Sequence, residues 1–153
     1  MRIRVVDLMD IDLATLAYLT GSSANDAILK RLREIGHEGV RVSHGYLIQH
    51  LVENEPKVGE LGELLGVTQQ AASKQLLELE RLGYVRRVPD RVDGRIRRAQ
   101  LTDRGRRLVE DSRRLRRELD VHGDDEVKRA LIRLLVATGG AEKVLKRQVV
   151  PDA

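Results

Sequence analysis

The sequence predicts a mainly α protein carrying one small β-hairpin, and three observations predict it. Apolar residues recur at spacings of three and four over most of the 153 residues, the rhythm of helices with one buried face. Aromatic residues are only 2% of the chain, all three of them tyrosines, so leucine, isoleucine, valine and alanine must fill the core, which suits packed helices. The helical rhythm lapses at "GYVRRV" and "RIRRAQLT", two short strand-like runs that flank the turn sequence "PDRVDG".

Taken in order, Leu16, Leu19, Ala27, Ile28, Leu32 and Ile35 predict one long helix from Ile11 to about Ile35, with a break at "TGSS", Thr20 to Ser23, as the alternative. The glycines of "IGHEGV" end it. Ser43 is placed to cap a second helix in which His44, Leu47, Ile48 and Leu51 share a face. Pro56 marks a boundary, Val58, Leu61 and Leu65 repeat the helical spacing, and Gly66 closes that short helix. Thr68 is then placed to cap the next one, so two helices meet across a very short turn. Beyond the hairpin, Leu101, Gly105, Leu108, Ser112, Leu115, Leu119 and His122 alternate spacings of four and three, a heptad-like seam that needs a partner helix. Gly123 breaks the chain and Asp124 can cap a helix bearing Val127, Leu131, Leu134 and Thr138. "TGG", Thr138 to Gly140, separates a final amphipathic segment from Ala141 to Val150.

Composition narrows the function. The length allows one ordinary domain, or a small domain with a helical extension. Lysine and arginine number 28 against 24 acidic residues, a net +4 with a pI near 9.7, so the distribution of charge matters more than its sum. With no cysteine there are no disulfides, thiolate metal sites or thiol switches, which fits a cytoplasmic protein. No apolar run approaches the roughly 20 residues that span a bilayer, and "MRIRVVDLMDIDLATL" carries acids unlike a signal peptide, so no membrane partner is expected. His37, His44, His50 and His122 include no pair at i and i+4, and a metal is not expected. "GELGELLG" lacks the lysine-serine ending of a phosphate loop, and the acid pairs Asp124 with Asp125 and Glu78 with Glu80 read as helix-start and solvated charges. Neither an enzyme nor a bound cofactor is expected.

The informative stretch is "VTQQAASKQLLELERLGYVRRVPDRVDGRIRRAQLT". On a helix after Thr68, Ala72, Leu76, Leu79 and Gly83 fall on one face and Gln70, Ser73, Lys74 and Arg81 on the other, while Leu77 also falls toward the polar side. Gln69, Gln70, Ser73 and Lys74 occupy the first turns, where a helix entering the major groove meets base edges and glutamine can pair with adenine. The following hairpin concentrates Arg86, Arg87, Arg91, Arg95, Arg97 and Arg98 against only Asp90 and Asp93. Arg91 and Arg95 on a protruding loop can place a guanidinium in a narrow minor groove, and the others can meet phosphates. A solvated surface helix and a charge-protected edge strand are the bland readings of each half; together the halves point to nucleic acid.

The tokens "LLGVTQQAASK", "LERLGYVRR", Asp93 to Arg95 and "LTDRGR" occur in the order found in the multiple-antibiotic-resistance regulator (MarR) family, which the chain resembles from Leu13 to Leu135. The resemblance implies a winged helix-turn-helix at 43–101, an N-terminal dimerisation helix at 11–36 and C-terminal dimerisation helices at 102–150, all in one unit spanning 1–153. It implies a homodimer whose terminal helices intertwine, a recognition helix from Thr68 to Leu82, and a wing with an aspartate-arginine pair. Carried over, Gln69, Gln70, Ser73 and Lys74, with Thr68 at the helix start, become base or phosphate contacts, Arg95 is the wing-tip residue and Asp93 its orienting partner, alongside Arg91 at the tip and Arg86, Arg87 and Arg97 toward phosphates. Gly62 stands where the family has a small alanine-like residue and Gly94 where a charge is common, departures expected to loosen a helix and the wing. Ligands in this family bind where the dimer helices meet the winged domain, which points to Tyr18, His44 and Tyr46. The function so implied is a sequence-specific repressor binding a palindromic site on double-stranded DNA and released by a small-molecule effector. The alternatives are a non-specific architectural DNA-binding protein and a protein-interaction module.

Overall fold

The computed structural model describes residues 7–120, 124–142 and 144. Among the described residues, six helices and a two-stranded antiparallel hairpin run in the order α1 (Leu13–Glu34), α2 (Val42–His50), α3 (Leu61–Leu65), α4 (Gln69–Arg81), β1 (Val85–Pro89), β2 (Arg97–Leu101), α5 (Asp103–Asp120) and α6 (Asp125–Ala137). Short 3₁₀ turns precede α1 and α3. His122 of the expected seam, the expected break at Gly123, and most of the segment expected at Ala141 to Val150 lie outside the described residues.

The first helix is continuous through Thr20 to Ser23, so the alternative with a break there does not hold. Asp12 starts it by accepting the Thr15 N–H at 2.9 Å, satisfying a donor that the first turn cannot pair internally. It ends at Ile35, and Gly36 follows in the left-handed region at φ 96°. For α2 the expected cap is corrected. Arg41 is the capping residue and Ser43 lies inside the first turn; the imidazole of His44 reaches back and its Nδ1 accepts the Arg41 N–H at 3.3 Å. The cap residue preferences favour serine, but a buried ring already aimed at the helix start supplies the acceptor instead.

Apolar faces converge in one core. Leu47, Leu61, Ala72, Leu76, Leu79, Tyr84 and Ala99 are completely buried, and Ile28, Leu32, Leu108 and Leu115 join them. Each buried leucine contributes about 2 kcal/mol by removal from water. Helices α1 and α5 pack on each other, so the seam of Leu108 and Leu115 is covered by the same chain rather than by a second one. Gly105 makes the approach of α5 feasible: a Cβ there would stand 2.1 Å from the carbonyl oxygen of Tyr84. Thr102 caps the same helix by accepting the Gly105 N–H at 3.1 Å while its hydroxyl donates to Gly83 O at 2.6 Å, which fixes the end of the hairpin to the start of α5. Asp124 caps α6 as expected, yet α6 buries none of its residues, and Val127, Leu131, Ile132 and Val136 stay exposed. Leu8, Met9, Leu13 and Tyr18 are likewise uncovered at the other end of the chain.

Candidate nucleic-acid interface

The turn between α3 and α4 is tight because Gly66 adopts φ 63°, which lets Val67 N–H return to Gly62 O at 2.9 Å. Thr68 then accepts the Ala71 N–H at 3.2 Å and starts α4. Gly62 does not loosen its helix as the sequence suggests. It permits close approach, since a Cβ there would stand 3.0 Å from the Cα and N of Gln69. Across that approach the Gln69 side chain accepts the Gly62 N–H at 3.2 Å and donates to Val58 O at 2.8 Å. Both ends of its amide are therefore engaged within the protein, and Gln69, though at the surface, latches α4 to the preceding turn.

The remaining face of α4 is open. Ala72, Leu76 and Leu79 are at zero exposure while Gln70 and Lys74 are exposed, Ser73 is half-buried and Arg81 is exposed. Leu77 is exposed as well, at 41%, as its place on the polar side indicates; nothing in the structure explains it.

The hairpin pairs Val85 with Leu101 through Pro89 with Arg97, the two strands expected from the sequence. Its base is braced by Pro56 and Lys57, with Ala99 N–H donating to Pro56 O at 3.0 Å. The arginines fall into two groups. Arg98 is half-buried, pairs with Asp90 and donates to Glu55 O at 2.7 Å, so it holds the wing. Arg86 donates to Gln100 at 2.7 Å and Arg87 pairs with Glu80 of α4 at 3.1 Å, both with their side chains at the surface. Arg91, Arg95 and Arg97 are exposed. Asp93 meets Arg95 at the backbone: its Oδ1 accepts the Arg95 N–H at 3.0 Å.

Asp90 organises the tip, a role not among those expected of it. Its Oδ1 accepts Val92 N–H at 2.8 Å and Asp93 N–H at 3.0 Å, and those two bonds, with the Arg98 guanidinium, hold its carboxyl down to about 2. The signal is present in "PDRVDG", since an aspartate at a turn's first position commonly takes the N–H groups two and three residues on.

The three residues expected to line a ligand cleft are not gathered around one. His44 is 1% exposed and its imidazole is held by α4: with Nδ1 accepting from Arg41, Nε2–H donates to Glu78 at 3.1 Å. Burial, with the nearby Arg41 cation second, pushes its pKa down to about 4, so the ring is neutral. Arg41 also pairs with Glu78. Tyr18 is 74% exposed on the uncovered part of α1, and Tyr46 is on the surface of α2. A cleft of about 120 Å³ does open between α1, α2 and α5, floored by Ile28, Leu29, Val40 and Leu108 with Arg41, Arg113 and Arg116 among its lining; none of the three expected residues lines it. Arginines three apart on a helix beside an apolar stripe were its only sequence signal.

Residues 38–96 match the model of the MarR family. No curated protein matches the chain in sequence. Among solved structures, the complex of MepR from S. aureus with DNA covers 86% of this chain and 99% of its own at 17% identity, with a TM-score of 0.63. The heme sensor PefR from Streptococcus agalactiae in complex with heme covers 83% and 91% at 17% identity, TM-score 0.62. A MarR-family transcriptional regulator from Rhodococcus sp. RHA1 covers 84% and 93% at 23% identity, TM-score 0.58. Residues 38–96 are thus similar to the MarR family, and the chain as a whole shares the fold of these solved winged-helix structures.

Proposed function

We propose that this protein is a dimeric, sequence-specific DNA-binding repressor that acts in the cytoplasm and that a small organic anion releases from its operator. The observation that carries the DNA-binding part is the helix α4 itself. Its apolar side is sealed in the core while Gln70 and Lys74 stand exposed in its first turns, next to a hairpin bearing exposed Arg91, Arg95 and Arg97. In that arrangement Gln70, Ser73 and Lys74 meet base edges or neighbouring phosphates, Thr68 and Gln69 fix the pose of the helix, Arg86, Arg87 and Arg97 meet the backbone, and Arg91 and Arg95 enter the minor groove.

The uncovered apolar residues of α6 and of the start of α1 support the dimer, because a monomer leaves both faces in water. A two-fold dimer calls for an inverted repeat with half-sites about 10 bp apart. The effector is assigned to the cleft between α1, α2 and α5, whose apolar floor and arginines suit an organic anion. The test is binding of the purified full chain to random and to genomic DNA fragments. Enrichment of inverted repeats supports the reading; uniform retention of all duplexes makes the protein an architectural one, and no retention refutes DNA binding.

A further inference from the structure

The wing tip carries a side chain that charge alone leaves without a role. Val92 is 97% exposed, and the cations Arg91 and Arg95 flank it in the same short loop. The loop is tied down. Besides the Val92 and Asp93 N–H groups that donate to Asp90 and the Arg95 N–H that donates to Asp93, Asp90 N–H donates to Ile96 O and Ile96 N–H donates to Asp93 O, each at 2.9 Å. Gly94 adds no side chain, and nothing lies within 4 Å of where its Cβ would be, so the tip is slender as well as fixed. A branched apolar group therefore stands at a set position between two guanidinium-bearing residues.

We propose that Val92 is a specificity-determining residue that packs on the floor of the minor groove and rejects G·C pairs there. The inference rests on the reading that Arg91 and Arg95 bring the wing into that groove. The groove is about 6 Å wide, and its floor shows only acceptors at A·T pairs, whereas G·C adds the guanine 2-amino donor. An isopropyl group accepts no hydrogen bond. Pressed over a 2-amino group it displaces that group's water and leaves a donor unpaired, a cost absent over A·T. Asp93, the neighbouring acceptor, is already turned to the Arg95 N–H. The arginines select a narrow, negative groove and read its width, not the amino group itself. Valine is also short for a side chain that would wedge between base steps, which favours packing on the floor.

The experiment starts from duplexes that the full chain enriches out of a random library, with the minor-groove pairs facing the wing located by hydroxyl-radical protection. One such A·T pair is replaced by G·C and by inosine·C, which keeps the major-groove edge of G·C and lacks the 2-amino group. For the parent protein the expected result is about tenfold weaker binding to G·C and recovery with inosine·C. Val92→Ser, a change at a solvated position, is expected to bring the three duplexes within about twofold, while Arg95→Ala weakens all three together and makes the salt dependence shallower. Inosine·C binding as weakly as G·C, or a tenfold penalty that survives in Val92→Ser, overturns the proposal. Failure of the parent to retain any duplex refutes instead the DNA-binding reading on which it rests.

Discussion

Acid should loosen this fold through His44 before it protonates the carboxylates. The ring is 1% exposed, and its pKa is pushed from 6.5 down to about 4, first by burial and then by Arg41. A histidine with a lowered folded pKa binds its proton more readily in the unfolded chain. Its contribution is therefore complete above pH 6.5 and shrinks as pH falls toward 4. The gap between those two values corresponds to about 3 kcal/mol, of which about 2 kcal/mol is gone by pH 5. His50, also lowered by burial, acts in the same direction. His44→Gln separates the two, since a glutamine amide can still accept from Arg41 N–H and donate to Glu78 without titrating. Urea unfolding of the parent and of this variant between pH 7 and pH 4.5 should give stability curves that converge on the acid side, the parent losing about 2 kcal/mol more by pH 5. Parallel curves, or a His44 imidazole that titrates near 6.5 by NMR, would show that the ring is not desolvated in the way its burial implies.

Gly105→Ala is expected to cost about 2–3 kcal/mol despite alanine's better helix propensity, because the new Cβ at 2.1 Å from Tyr84 O forces α5 away from the hairpin; the urea midpoint reads it. Gln69→Ala should lower stability and weaken binding to every duplex, as it unlatches α4 from Val58 and Gly62, whereas Gln70→Ala should leave stability unchanged and relax sequence preference. Arg86→Ala should weaken all duplexes alike and make the slope of log affinity against log salt shallower, by about 0.9 for each phosphate that a subunit no longer neutralises. Light scattering at micromolar concentration should give about twice the 17.3 kDa chain mass, and a stable monomer would remove the basis for a palindromic operator.

The sequence by itself determined the elements, because their signals are local. Apolar spacing marks α1, α4, α5 and α6, Thr68 and Asp124 name the caps of α4 and α6, Gly66 names the turn and "PDRVDG" the hairpin, each acting within a few residues of itself. It also placed the leucines of α4 and the exposed run of Gln70 and Lys74, since a period of 3.6 assigns faces without knowing what covers them. What tertiary structure decided is which polar group each side chain meets across the chain. Gln69 is spent on Val58 and Gly62, Arg98 on Asp90 and Glu55, and His44 on Arg41 and Glu78, although each of the three looks as available in the sequence as Gln70 or Arg95. The covering of Leu108 and Leu115 by α1 of the same chain belongs to the same class. A heptad stripe states that a partner helix is needed, but the stripe is equally satisfied by a helix from either chain, and only the path of the backbone selects one.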